Sequence, residues 1–394
     1  MALRSLSKHI WRSNSYNKWS ACGIAQQLLY STEPDPLTKE TLFFKLPVKE
    51  ILPTSNDPIA GRKWLPGSHG RGFPKYLAKP RKDFPHALMA KSADMYSIDE
   101  IAKVTRQVID EDLPKCGAVL FRGLNLYEVQ DFAHFSLALG FRSMEYTGGL
   151  ANREAVDSEA NVYSANDDPS VYTIEPHNEM AYSPVYPRKL IFFCAEEPAE
   201  GCGGYTVLCK SSDFLPNIHP DVINKLGEKQ IRYINRVPDK VRSSYISWQQ
   251  VFHTTDKKKV EHFLETKGFT FRWQPHTGSL EYWIILPAFM SQPDTGERIW
   301  FNQVHLHSMS SFVESPMFPG HGSLDQIYTY DCQYGDGSKI EPEVLEHIRG
   351  CIWNSTVGFQ WRQGDMLLVD NLTTLHGRLG FNGKRKILAT LLEN

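Results

Sequence analysis

Three residues set far apart in this chain carry metal chemistry when taken together. In PHNEMAY (176–182), His177 and Glu179 stand two positions apart, a spacing that turns both side chains to one face of an extended strand. A third donor follows far downstream in WRQGDMLLVDNLTTLHGR (361–378). There Gly364-Asp365 reads as a turn, MLLVD as an apolar strand, and His376 falls just beyond a second turn. Two imidazoles and one carboxylate occupy one face of an octahedral ferrous ion and leave the remaining positions open. An HxE pair alone says little in a chain of fourteen histidines. Its weight comes from the later histidine, from the basic strand that follows it, and from the β-rich pattern between them. His305 and His307 in QVHLHS read as ordinary packing, with the lining of a substrate mouth as the alternative.

Such a site needs strands to hold it. From about residue 160 onward the chain breaks into short β-rich runs: LIFFCAEE (190–197), YTVLC (205–209), QIRYINRV (230–237), FTFRWQ (269–274), LEYWIIL (280–286), WRQGDMLLVDN (361–371) and KRKILATLL (384–392). That spacing predicts a mainly β domain, a double-stranded β-helix or jelly roll, with helices packed outside. Helical insertions are expected over 256–268 and 342–351. Upstream, SIDEIAKVTRQVIDEDLP (97–114) predicts a helix with Ser97 as N-cap, Glu100 completing a capping box and a stop at Pro114. CGAVLFRG (116–123) predicts a strand, and 127–140 a second helix closed by Gly140. Residues 33–94, rich in Pro and Gly, read as an irregular extension ahead of a catalytic domain spanning 95–394. Trp64 and Phe73 in it are candidates to close over the site, against simple packing.

Composition narrows the function. Forty-three Lys and Arg nearly balance forty-five Asp and Glu, for a formal charge of −2. No basic excess points to nucleic acid, and no apolar run reaches the ~18 residues a membrane helix requires. A small-molecule substrate fits this balance, and a homo-oligomer is compatible with it. The seven cysteines form no CxxC pair, so they read as reduced thiols and not as a zinc ribbon. Residues 1–32 hold Arg4, Lys8, Arg12 and Lys18, several serines and no acid, the composition of a mitochondrial transit peptide; a tail without address, in a cytoplasmic protein, is the alternative.

PHNEMAYSPVYPRKLIFFCAEEPAEGCGGYTVL (176–208), TGERIWFNQ (295–303) and GDMLLVDNLTTLHGRLGFNGKRKIL (364–388) resemble the taurine dioxygenase and clavaminate synthase-like family of Fe(II)/2-oxoglutarate-dependent oxygenases. The resemblance implies a dioxygenase that consumes O2, converts 2-oxoglutarate to succinate and oxidises, foremost hydroxylates, a small amino-acid-like or natural-product-like substrate. It implies His177, Glu179 and His376 as iron ligands, and Thr206 and Arg385 as the pair holding the far carboxylate of 2-oxoglutarate. A forked, permanently charged guanidinium suits that carboxylate. Arg385 follows His376 by only nine residues, and Arg378, Lys384 and Lys386 are rival cations, so Arg378 stays open as the anchor. Ala389 stands where some relatives carry a second arginine. Related halogenases replace the carboxylate ligand by a small residue; Glu179 therefore implies oxidation and not halogenation. Three other readings are a carnitine-pathway hydroxylase, against which stands the lack of a Cys/His zinc module, a zinc hydrolase, which leaves the arginine idle, and a catalytically silent jelly-roll binding protein.

Overall fold

The computed structural model describes residues 37–393 except 52–57, 80, 152, 243–245, 294 and 314–329; the leader at 1–32 and Cys22 lie outside the described residues. In chain order the strands are β1 (Phe43–Lys45), β2 (His86–Ala90), β3 (Ala118–Arg122), β4 (Ala155–Asp157), β5 (Val162–Ser164), β6 (Ile174–His177), β7 (Lys189–Glu196), β8 (Thr206–Lys210) and β9 (Ile231–Val237), then β10 (Thr270–Trp273), β11 (Leu280–Leu286), β12 (Phe289–Ser291), β13 (Arg298–Trp300), β14 (Tyr330–Tyr334), β15 (Val357–Phe359), β16 (Met366–Asp370), β17 (Thr374–Arg378) and β18 (Lys386–Leu392). They form an eight-stranded sheet in the order β1-β2-β3-β16-β7-β18-β5-β4, a four-stranded sheet β15-β8-β17-β6, a second four-stranded sheet β10-β11-β9-β14, and the hairpin β12-β13. The fold is mainly sheet with flanking helices, as expected.

The large sheet explains why its inner strands read as unbroken apolar runs. Leu190, Phe192 and Cys194 of β7 belong to the main core, while Phe193, on the opposite face, stacks on Phe132 of the helix Val129–Ala138 with ring centroids 4.8 Å apart. A strand covered on both faces has no polar side to alternate with. The helix Ile98–Cys116 begins at Ser97, whose capping box with Glu100 forms as predicted, but it runs through Pro114 and stops at Gly117, which takes φ 76°. Proline withholds only its own N–H, and the left-handed glycine, donating to Leu113 O, is the stronger terminator.

The stretch 33–94 is less irregular than expected, since β1 and β2 extend the large sheet, β2 pairing parallel with β3. Trp64 and Phe73 do not approach the cavity. Phe73 packs against Trp353 at 5.8 Å, in a satellite cluster with Ile59, Leu65, Val207 and Leu379 behind β8. No helix among the described residues is long and apolar enough to cross a membrane. The six cysteines among them are unpaired.

Candidate metal centre and co-substrate pocket

The two histidines meet because their strands are neighbours. β17 pairs antiparallel with β6 so that His376 faces His177 directly, with ring centroids 4.6 Å apart. The next register pair is Arg378 with Ile174, so Gly377 alone stands opposite both Glu175 and Pro176, a β-bulge. A Cβ at Gly377 would lie 2.5 Å from Ile174 O. Only a glycine lets the two ligand strands approach this closely.

Glu179 reaches the site differently from the sequence expectation. β6 ends at His177, and Glu179 lies in the following turn, where Met180 takes φ 55°. Asn371 fastens that turn: its Oδ1 accepts from Glu179 N at 2.6 Å, and its Nδ2 donates to Glu179 O at 3.0 Å and Pro187 O at 2.7 Å. Asn178 Nδ2 donates to Asn371 O, and Gln303 Nε2 to Asn178 O, both at 2.6 Å. A second brace holds β6 itself. Glu175, fully buried, accepts from Arg349 Nε and Trp353 Nε1 of the helix Pro342–Asn354, each at 3.0 Å.

The ligand atoms of His177, Glu179 and His376 all lie within 4.8 Å of one another. Glu179 Oε2 is 3.9 Å from His177 Nε2 and 3.7 Å from His376 Nε2. His177 Nδ1 is 2.8 Å from Glu175 O; it must donate there, which leaves the Nε2 lone pair directed at the centre. Burial, assisted by His376, pushes the His177 pKa down to about 3 and keeps the ring neutral. Burial alone would raise that of Glu179, but Arg153 and the two imidazoles prevail and hold it at about 2. Two imidazoles and one carboxylate are the donor set of a mononuclear ferrous site.

A second polar cluster lies on the neighbouring strand, two residues along the register from His376. Thr206 of β8 is the register partner of Arg378, as Leu208 is of His376, so the side-chain period of two brings Thr206 to the cavity face. Arg385 donates through Nε to Gly204 O at 3.0 Å and through Nη2 to Thr206 Oγ1 at 3.3 Å. Trp361 Nε1 also donates to Thr206 Oγ1, at 2.8 Å. With both lone pairs occupied, the threonine hydroxyl has only its own proton left to offer. Burial and the charge of Arg378 lower the Arg385 pKa to about 9, and no carboxylate among the described residues pairs with it. A buried cation beside an outward-facing hydroxyl is a receptor for an anion. Arg378 differs: both its Nη atoms are committed to the carbonyls of Asp168, Pro169 and Tyr172, and Nε alone has no partner.

Both clusters open into one cavity of about 1140 Å³ including its mouth. A model of the "Taurine catabolism dioxygenase TauD, TfdA family" matches residues 81–391. This chain belongs to the TauD/TfdA family. The TauD/TfdA chain is 29% identical over 316 residues to the dapdiamide synthesis protein DdaC of Enterobacter agglomerans, covering 78% of this chain and 92% of the relative. It is 28% identical over 327 residues to a clavaminate synthase-like protein of Arabidopsis thaliana, covering 82% and 94% respectively. Among solved structures, PvcB of Pseudomonas aeruginosa aligns over 78% of this chain and 85% of its own with 14% identity and a TM-score of 0.43. The protein is accordingly an iron(II)/2-oxoglutarate-dependent dioxygenase using Fe(II), 2-oxoglutarate and O2.

In this family member, residues that no motif announced complete the cavity. Arg153 donates through Nη2 to Glu179 Oε2 at 2.6 Å. Tyr146, Tyr172, Tyr182, Tyr330 and Phe192 supply aromatic wall, and Phe192 meets the His376 ring at 5.1 Å. Of the two histidines in QVHLHS, His307 lines the cavity among tyrosines, while His305 packs behind it, its carbonyl accepting from Arg349. Arg153 stands in the Gly-flanked segment GGLANREAV (148–156), which has neither periodicity nor a partner motif. The sequence offered no signal for it.

Proposed function

We propose that His177, Glu179 and His376 hold the iron, that Arg385 and Thr206 hold the far carboxylate of 2-oxoglutarate, and that the protein oxidises, foremost hydroxylates, a small amino-acid-like or natural-product-like molecule. The carrying observation is the convergence of three facing donor atoms and a carboxylate-free arginine–threonine pair in one cavity. When bound, the metal with its co-substrate and dioxygen supplies oxidation of a C–H bond, coupled to conversion of 2-oxoglutarate to succinate and carbon dioxide. The chain's own work is positional: the Asn371 network fixes Glu179, the bulge at Gly377 fixes the imidazole pair, and the aromatic walls keep bulk water from the reacting atoms. Contact between Phe192 of the large sheet and His376 of the β15-β8-β17-β6 sheet supports reading the two as the faces of a double-stranded β-helix. The relative named for dapdiamide synthesis supports the substrate class.

Anaerobic Fe(II) titration followed by oxygen-dependent succinate release tests this reading. The wild type is expected to bind one iron and release succinate; Glu179→Ala, stripped of a charged ligand, is expected to bind iron weakly and release none. An alanine variant that behaves as wild type removes Glu179 from the ligand set. Retention of Glu179 also supports oxidation over halogenation, since its carboxylate fills the position a halide would take. We propose further that residues 1–32 direct mitochondrial import, on the strength of their basic, acid-free composition; a reporter fused to them that stays diffuse in the cytosol overturns this.

A further inference from the structure

We propose that Arg153 is the anchor for a carboxylate on the primary substrate, an inference that rests on reading the cavity as the oxygenase active site. The Arg153 side chain is 4% exposed. Of its three nitrogens only Nη2 has a partner, Glu179 Oε2; Nε and Nη1 are buried in the cavity wall without an acceptor. Its guanidinium lies over the Tyr146 ring, 4.7 Å from the centroid, which holds its plane.

A purely structural buried arginine in this protein looks different. Arg122 is equally buried, yet all three of its nitrogens are matched, to Asp365, Glu50 O and Gln360 O. Arg378 spends both Nη atoms on carbonyls. Arg385 and Thr206 already form the receptor for the co-substrate. Arg153 is thus the cavity arginine with two nitrogens, Nε and Nη1, buried without a partner, against Nε alone at Arg378.

Charge points the same way. Glu179 Oε2, the one anion Arg153 touches, is also the oxygen facing the two imidazole Nε2 atoms. A divalent ion at that centre claims the carboxylate's charge and repels the guanidinium. In the loaded site iron(II), Glu179, doubly charged 2-oxoglutarate and Arg385 cancel one another, and Asp168 lies beside Arg378. Arg153 is left as a buried cation in need of an anion. Nη1 offers a carboxylate a charged hydrogen bond, and the second proton of Nη2, the first being given to Glu179, lies beside it to complete the fork; Tyr146, Leu150 and Tyr182 nearby offer a largely apolar wall to the rest of such a molecule. The substrate class is therefore a small carboxylic acid with a partly apolar body.

The test uses the full-length protein loaded anaerobically with Fe(II) and saturating 2-oxoglutarate, with acetate, the smallest carboxylate, as probe in a ligand-observed NMR titration and acetamide as its neutral isostere. Iron saturation and succinate release are verified first; their failure in the wild type overturns the oxygenase reading itself, before acetate is added. We expect saturable acetate binding, none by acetamide, and a loss of roughly tenfold or more in acetate affinity in Arg153→Gln, since a charged hydrogen bond is removed. If Arg153→Gln fails to hold iron, Arg153→Lys decides, because it keeps the charge beside Glu179 and removes the fork; a clear weakening is again expected. Non-saturable acetate, acetamide binding as well as acetate, or variants that bind acetate like the wild type overturn the assignment. Sulfate or phosphate binding more tightly than acetate overturns the carboxylate class.

Discussion

Replacing Arg385 by Gln removes a charge from a pocket that offers a 2-oxoglutarate carboxylate two converging donors. Arg385 has Nε committed to Gly204 O and Nη2 shared with Thr206 Oγ1, which leaves Nη1 for the ligand. The Thr206 hydroxyl, accepting from Arg385 and Trp361, must aim its proton outward. One charged hydrogen bond is worth ~1.5–3 kcal/mol, which converts to a 2-oxoglutarate Kd raised ~10- to 150-fold in Arg385→Gln. Thr206→Val removes a neutral donor worth ~0.5–1.5 kcal/mol, hence ~2- to 12-fold. Because each group orients the other, the double variant should lose less than the sum of the single losses. Arg378→Gln, stripping three backbone carbonyls of their donor, should lower stability while the folded protein keeps its affinity for 2-oxoglutarate. Anaerobic calorimetric titration of the Fe(II)-loaded variants, with urea unfolding alongside, measures all four. An unchanged Kd in Arg385→Gln, or a larger affinity loss in Arg378→Gln, refutes the assignment of the two arginines.

Asn371→Ala strips Glu179 of both backbone partners and should weaken Fe(II) binding by ~10- to 100-fold, as the loss of an outer-shell support does; an unchanged metal titration would show the turn to be held without it. Gly377→Ala should separate β6 from β17, because its Cβ meets only backbone, down to 2.5 Å, and should lower both iron affinity and stability. Gly72→Ala, with nothing within 4 Å of the added carbon, is the matched control, expected within ~0.5 kcal/mol of wild type by urea unfolding. The metal-free protein should lose stability in mild acid. Burial is the leading cause that lowers the pKa of His177 to about 3, of His305 to about 4 and of His307 to about 3. The unfolded chain, titrating near ~6.5, therefore takes up protons first, and stability complete above that value falls as pH drops toward 3–4. Three such groups set a limiting slope on the order of 4 kcal/mol per pH unit near pH 5. A urea midpoint unchanged between pH 7 and 5 would contradict neutral burial.

The residue types of the candidate site stand out in the sequence because their chemistry is scarce: few side chains ligate ferrous iron, and the HxE pair, the later histidine and an arginine opening an apolar strand cannot easily substitute for one another. The apolar strands were legible for a related reason. LIFFC and MLLVD are buried on both faces, so apolarity alone marks them. The strands of the candidate ligands, β6 and β17, by contrast, carry polar residues, IEPH and TLHGR. Their burial is offset by pairing with each other, with Asp168–Tyr172 carbonyls and with the helix bearing Arg349, partners remote in sequence. The same remoteness hid Arg153, Asn371 and Gln303, which act on residues 26, 192 and 125 positions away respectively. The choice between Arg385 and Arg378 also waited for the fold. Arg378 ends β17 and Arg385 precedes β18 of the other sheet, and what distinguishes them is whether backbone carbonyls already occupy the Nη atoms, a property of the packed environment and not of the residue.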